Sequence, residues 1–211
     1  MSIYQLKPRF QGLLRPGVRL LFRVGVTANQ VTVAACVISV ALGAWLAVRP
    51  DERHLFLLVP VWFLLRMAFN AVDGMLAREF GQASPLGAYL NELADVVSDA
   101  ALYLPFALLP GSSAWALFGI VVLAIVSEMA GVLGVMVGAT RRYDGPMGKS
   151  DRAFVFGVLG LLAGSGVALG AFLNWIWAGV ALLILVTIVN RVRRGLAERM
   201  CQPEGTGDAR R

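Results

Sequence analysis

Histidine occurs once in this chain, at His54, and cysteine twice, at Cys36 and Cys201. Cys36 falls in an apolar block and Cys201 in a polar tail, so the pair forms neither a disulfide framework nor a metal site. His54 stands beside Glu52 and Arg53 and reads as an interfacial residue. Charge is scarce as well, at 15% of 211 residues, and acids are fewer than bases, 13 against 19. The resulting net charge of +6 raises nucleic acid as a partner, but the basic residues carry no interleaved aromatics and no recognisable motif, which excludes that class. The first 25 residues also lack the short apolar core of a secretory signal. Lys7, Arg9, Arg15, Arg19 and Arg23 interrupt them, and no cleavable signal is expected. Internal repeats are missing too.

What the chain has in quantity is apolar sequence. Hydrophobic residues make up 58% of it and arrive in long blocks, the pattern of a polytopic membrane protein. About 20 apolar residues cross the hydrocarbon core, and six segments approach that length: 29–48, 55–77, 87–109, 113–138, 153–172 and 174–192. The fold class expected is therefore an all-α integral membrane protein with six transmembrane helices. The connections near 49–54, 110–112 and 172–174 contain only Arg49 and Arg53 as cations, whereas the opposite face collects 16 of the 19 basic residues. By the positive-inside rule both termini and the loops 78–86 and 139–152 face the cytoplasm. Residues 3–24 are amphipathic and predict a helix lying in the membrane interface, interrupted near Pro16-Gly17. Residues 1–200 read as one membrane domain, and the tail 201–211, CQPEGTGDARR, as a disordered cytoplasmic extension.

Against this background the stretch Asn70–Asp99, NAVDGMLAREFGQASPLGAYLNELADVVSD, is dense in polar groups. It spans the cytoplasmic end of the second helix, a loop with Pro85, and the start of the third. Asn70 and Asp73 are three residues apart, and Asn91, Asp95 and Asp99 step by four, so each set shares a helix face. Carboxylates and amides without His or Cys favour a hard cation, Mg²⁺, Mn²⁺ or Ca²⁺, over zinc. Gly74 and Ala77 would let a ligand approach the backbone, and the Arg78 guanidinium suits a phosphate. Together these residues point to a metal-bound pyrophosphate at the membrane surface.

The same residues resemble the CDP-alcohol phosphotransferase (CDP-alcohol phosphatidyltransferase) family, whose pattern is D-x2-D-G-x2-A-R-x8-G-x3-D-x3-D. Here Asn70, Asp73, Gly74, Ala77, Arg78, Gly87, Asn91 and Asp95 occupy those positions with every spacing kept. The resemblance extends over most of the chain, including the amphipathic start and the TANQVT stretch, and looks closest to a bacterial inner-membrane branch. It implies transfer of a phosphatidyl or other phospho-alcohol group from a CDP-alcohol, CDP-diacylglycerol being the expected donor, to an acceptor hydroxyl with release of CMP. It further implies one or two Mg²⁺ or Mn²⁺ ions on the acidic positions, Asp95 as the base that deprotonates the acceptor, and Asp73 as a metal ligand. Gly74, Ala77, Arg78 and Gly87 would line the CDP pocket together with Asp73. Membrane lipid and a homodimeric partner follow from the same likeness. Two of the family's four acidic positions are Asn70 and Asn91 here, while Asp99, a turn beyond Asp95, and Glu92 partly restore the local negative charge. Asp73, Asp95 and Asp99 are thus the expected anionic ligands, with the two asparagines as neutral ones.

Three further features carry expectations. Arg66, a turn before Asn70, and Glu128 are intramembrane ions that need partners, and they are expected either to pair with each other or to serve the site. In the loop RRYDGPMGKSDR, Lys149 and Arg152 open a helix and are expected, with Arg141 and Arg142, to hold a phosphorylated acceptor. For Arg141 and Arg142 an ordinary basic cytoplasmic loop is the favoured reading. The run Gly131, Gly134, Gly138 permits close helix packing. A second reading of the chain takes Asn70 and Asn91 as marks of a catalytically silent relative that binds CDP-lipid or metal and partners a lipid-synthesis enzyme. A small transporter would need a polar path across the membrane, whereas the polar residues here gather on one side.

Overall fold

The computed structural model describes residues 6–200, with side chains from residue 10 onward. Seven α-helices and no strand occur among the described residues: α1 (Leu6–Arg23), α2 (Ala28–Val48), α3 (Leu58–Glu79), α4 (Pro85–Tyr103), α5 (Ala114–Met136), α6 (Lys149–Gly164) and α7 (Phe172–Met200). The tail beginning at Cys201 and the first residues of the expected N-terminal segment lie outside the described residues. Four helical stretches are long and apolar enough to cross a membrane: Ala28–Val48, Arg53–Glu79, Ala114–Met136 and Phe172–Met200. They match four of the six expected spans. The other two meet local obstacles. Helix α4 carries Glu92, Asp95 and Asp99 and passes into a 3₁₀ turn at Leu104–Leu108, where Pro105 has no N–H to give. Helix α6 has 16 residues and stops before Gly166, whose φ of +83° ends the run that the apolar composition continued.

The chain divides into two compact units, the first comprising the segments 1–105 and 156–167 and the second 106–155 and 168–211. In the first unit, α2 opens with a capping box: Thr27 Oγ1 accepts from the Gln30 N–H, and the Thr27 N–H donates to Gln30 Oε1. Val18 of α1, Ala28 and Val31 of α2, and Met75 and Leu76 of α3 form a buried core. The Arg15 guanidinium reaches Glu79 at 3.0 Å. Helix α1 is thereby seated on the end of α3 that carries the polar stretch. It runs through Pro16 without the interruption the sequence suggests, since a proline removes one N–H donor and the surrounding turns keep theirs. The second half of α6 brings Gly157 and Gly160 against Phe56, Val59 and Pro60, and Phe156 stacks on Tyr103 at 3.9 Å.

Helices α2 and α4 approach at Gly43, where a Cβ would lie 2.1 Å from the Ala101 carbonyl oxygen. A mid-helix glycine ordinarily costs about 1 kcal/mol relative to alanine, so its value here lies in that contact. Gly43→Val should force α2 off α4, lower stability by about 1–3 kcal/mol, and reduce any activity that depends on the α4 side chains. A melting curve in detergent checks it, with Gly119→Val, where no atom lies near the missing Cβ, as the comparison.

In the second unit, Asn174 at the start of α7 accepts from the Ser113 N–H at 2.8 Å and donates to the Gly111 carbonyl at 2.9 Å. Trp177 Nε1 donates to Ser112, so the loop before α5 is pinned to α7. Helix α7 extends past the expected end at 192 because its basic last turns are bound: Arg191, Arg194 and Glu198 all find partners in residues 140–144. Gly131 and Gly134 are occupied similarly. A Cβ on Gly131 would meet the Arg142 carbonyl at 2.6 Å and one on Gly134 the Thr140 carbonyl at 3.0 Å. These two glycines therefore admit the chain's own 140–142 segment, and Gly138, at φ +85°, turns the backbone out of α5.

Candidate active site

Ser84 caps α4, accepting from the Gly87 N–H at 3.0 Å, and Pro85 takes the first helical position where its missing N–H costs nothing. This start sets the register that puts Asn91, Asp95 and Asp99 on one face. From α3, the buried Arg66 side chain crosses to that face. Its Nη1 donates to Asp99 Oδ1 at 2.5 Å, and its Nη2 donates to both the carbonyl and Oδ1 of Asp95 at 3.0 and 3.2 Å. Arg66, Asn70 and Asp73 follow one another along one face of α3. Asp73, also buried, accepts a 2.8 Å hydrogen bond from Thr32 Oγ1 of α2.

Two of the three glycines of the polar stretch, Gly74 and Gly87, lie beneath polar side chains. A Cβ on Gly74 would meet Nη2 of Arg78 at 2.7 Å, and one on Gly87 would meet Oδ1 of Asn29 at 2.8 Å. Arg78 is exposed, Ala77 packs at the edge of the buried core, and Asn70 and Asn91 are half-buried. Gln82 Oε1 accepts from the Ala28 N–H at 2.7 Å and closes the α3–α4 loop onto the start of α2. Sequence reasoning missed Asn29, Thr32 and Gln82 as parts of this region. A signal for Asn29 and Thr32 was available: TANQVT is a polar opening to an otherwise apolar helix.

Glu128 of α5 is the focus of the second unit. Its Oε1 lies 2.9 Å from Nη2 of Arg152, and its Oε2 lies 3.4 Å from Arg191 and 3.6 Å from Arg141. Arg152 and Arg191 are buried. Arg66 and Glu128 thus each satisfy their charges within their own unit. Arg142 donates to Asp144 at 2.8 Å and also pairs with Glu198, while Arg194 donates to Asp144 at 2.6 Å. Burial pushes the Asp144 carboxyl up, but the hydrogen bonds and charges of Arg194 and Arg142 outweigh it and hold the group below its ordinary value. The loop arginines are therefore more than a generic basic loop. Lys149 is half-buried at the first residue of α6, whose start is capped by Asp151 accepting from the Gly148 N–H at 2.9 Å.

No group of three or more His, Cys, Asp or Glu side chains converges as a metal cage among the described residues. The donors that α3 and α4 offer are all oxygen: the Asp73 and Asp95 carboxylates and the Asn70 and Asn91 amides. Such a set fits a hard divalent cation that takes one or two carboxylates and completes its sphere with water and substrate phosphates.

The sequence profile of the CDP-alcohol phosphatidyltransferase family matches residues 25–191, and the chain belongs to that family. It is 45% identical over 193 residues to the inner membrane protein YnbA of Escherichia coli (strain K12), covering 92% of this chain and 96% of that one. It is 28% identical over 221 residues to the phosphatidylinositol phosphate synthase of Mycobacterium tuberculosis (strain H37Rv), covering 94% of each chain. With the archaetidylinositol phosphate synthase of Aeropyrum pernix it shares 27% identity over 202 residues, covering 89% of this chain and 93% of the other. Among solved structures, the mycobacterial phosphatidylinositol phosphate synthase with CDP-DAG bound shares the fold, with a TM-score of 0.64 and 22% identity over 93% of this chain and 98% of that one.

Proposed function

We propose that this chain transfers a phosphatidyl group from CDP-diacylglycerol to an acceptor hydroxyl and releases CMP, acting at the cytoplasmic face of a bacterial inner membrane. The observation that supports this reading most directly is the intact spacing from Asn70 to Asp95 on two helices that Arg66 ties together. Asp95 takes the proton of the acceptor hydroxyl as its oxygen bonds to the phosphatidyl phosphorus, and the bond from that phosphorus to the CMP oxygen breaks with its electron pair leaving on CMP. Arg78 and the backbone at Gly74, Ala77 and Gly87 hold the CDP group, and Thr32 orients Asp73. Asp73, Asp95, Asn70 and Asn91 would hold Mg²⁺ or Mn²⁺, which when bound neutralises charge developing on the pyrophosphate.

The acceptor in this reading is a phosphorylated polyol. Five arginines of the second unit (Arg141, Arg142, Arg152, Arg191, Arg194) face three acids (Glu128, Asp144, Glu198), an excess of positive charge suited to an anion. The phosphatidylinositol phosphate and archaetidylinositol phosphate synthases among the relatives are named for products that contain an inositol phosphate. Lys149 and Arg141 contact the acceptor, and Arg142 and Arg152 set the cluster around them. Helices α4 and α6 complete six spans, α1 lies in the interface with Leu13 and Leu20 turned outward, the chain acts as one membrane domain, and two copies form a homodimer.

The purified protein in liposomes with CDP-diacylglycerol and Mn²⁺ should release CMP only when a polyol phosphate is added. Release with no acceptor preference would overturn the acceptor class. Binding of CDP-diacylglycerol without release, across a panel of hydroxyl acceptors, would overturn the transferase.

A further inference from the structure

Helix α7 runs on past its apolar stretch to Met200, and the face it presents there is polar. Thr187, Arg191, Arg194 and Glu198 recur along it at steps of four, three and four. Each of these side chains meets the connection between α5 and α6. Thr187 Oγ1 accepts from the Met147 N–H at 2.9 Å. Arg191 Nε donates to the Asp144 carbonyl at 3.4 Å, and Arg194 Nη1 donates to the Asp144 carboxylate at 2.6 Å. Glu198 ends the row. Its Oε1 accepts from the Thr140 N–H at 3.1 Å, and its Oε2 accepts from Thr140 Oγ1 at 3.0 Å and pairs with Arg142. From the other side, the Arg142 N–H donates to the Gly131 carbonyl of α5 at 3.0 Å.

Connecting segments ordinarily cross the surface, where water can satisfy their backbone groups. In this one, α7 side chains take the Thr140 and Met147 N–H groups, so a neighbouring helix sets its path. Arg141 lies in the middle of the part that Glu198 holds. The residues on either side of it, Thr140 and Arg142, both bond to that one carboxylate, which fixes the backbone of Arg141 from two directions. The Arg141 guanidinium lies 3.6 Å from Glu128 and 4.5 Å from the centre of the Tyr143 ring. A side chain ordered in this way before a ligand arrives has less freedom to lose on binding.

We propose that Glu198 is a positioning residue for the acceptor: by bracketing Arg141 through Thr140 and Arg142, it holds that guanidinium ready for the phosphate of a polyol phosphate. In this role Glu198 touches no reacting atom. Its side chain is 27% exposed, so truncating it opens no closed cavity in the core, and the loss is felt at the connection. The inference rests on the reading of Arg141 as an acceptor contact, but it concerns how that contact is held and not the reaction catalysed.

The test combines amide exchange with kinetics on the full-length protein in detergent, using inositol phosphate and glycerol phosphate as acceptors. In Glu198→Ala the Thr140 amide should exchange faster than in the wild type, while the Met147 amide, held by Thr187, keeps its protection. The acceptor KM should rise about tenfold, the scale of one hydrogen bond to a charged group, with kcat and the KM for CDP-diacylglycerol unchanged. Glu198→Gln retains an acceptor oxygen for Thr140 and should fall between the two; it carries the same test if Glu198→Ala fails to fold. Arg193→Ala, at an exposed cation of the same helix end, should match the wild type. An acceptor KM that stays at the wild-type value while the Thr140 amide loses protection would overturn the proposal, as would a loss confined to kcat, the mark of a purely structural role. A wild-type protein that releases no CMP refutes the transferase reading, and calorimetric binding of the same two phosphates then decides the positioning role. The same tenfold weakening in Glu198→Ala supports it; equal affinity, or no binding by the wild type, overturns it.

Discussion

Replacing Asp95 by Asn is expected to reduce CMP release by about 10²–10⁴-fold, the usual worth of a general base, while leaving the fold intact. The carboxylate has two tasks that the substitution separates. It accepts from Arg66 through Oδ1 at 3.2 Å, a bond an amide oxygen also accepts at almost no change of shape. In the proposed mechanism it also takes the acceptor's proton, which an amide cannot do. The main-chain carbonyl of residue 95 keeps its own 3.0 Å bond from Arg66 in the variant. A melting temperature close to that of the wild type together with collapsed turnover would therefore separate chemistry from structure. Turnover above about a tenth of the wild-type rate would place the base elsewhere, because general-base losses are ordinarily much larger. Asp95→Ala is the weaker experiment, since it strips Arg66 of one of its side-chain partners and mixes the two effects.

The helix faces of the candidate site were legible because helical periodicity and a rigid motif spacing act over short range. The faces Asn70/Asp73 and Asn91/Asp95/Asp99 need only the helices in which they sit, and α3 and α4 supply those helices. What the sequence hid were contacts that only tertiary packing brings together. Nothing in the local pattern says that Thr32 bonds Asp73 across 41 residues or that Arg66 reaches Asp99 across 33. Apolarity also misled at its edges. It extended the fifth expected span to 172, although the glycines after Gly164 leave the helix, and it ended the sixth at 192, although α7 continues to Met200 on ion pairs and hydrogen bonds that hydropathy does not register. The glycine run of α5 had a similar ambiguity. Small residues admit any close neighbour, and here Gly131 and Gly134 admit backbone from the adjoining loop.

Glu128→Gln is expected to destabilise the second unit by about 3–5 kcal/mol, the cost of removing one partner from a buried ionic cluster, which corresponds to a melting point lower by roughly 6–20 °C. Glu128 carries a carboxylate that Arg152 and Arg191 share, and both guanidinium groups are almost fully buried, with side chains 1% and 2% exposed. Glutamine retains one acceptor oxygen and no charge, so at least one arginine keeps its positive charge in a poorly hydrated setting. The informative comparison is Glu52→Gln. The Arg49–Glu52 pair is the shorter, at 2.5 Å against 2.9 Å for Arg152–Glu128, but its side chains are 59% and 39% exposed, and water and salt screen it. Its loss should change stability by no more than about 1 kcal/mol. If the two variants melt alike, then burial is not what gives Glu128 its weight, and the arginine cluster is held by its hydrogen bonds to the carbonyls of Met147, Ser127 and Asp144 instead.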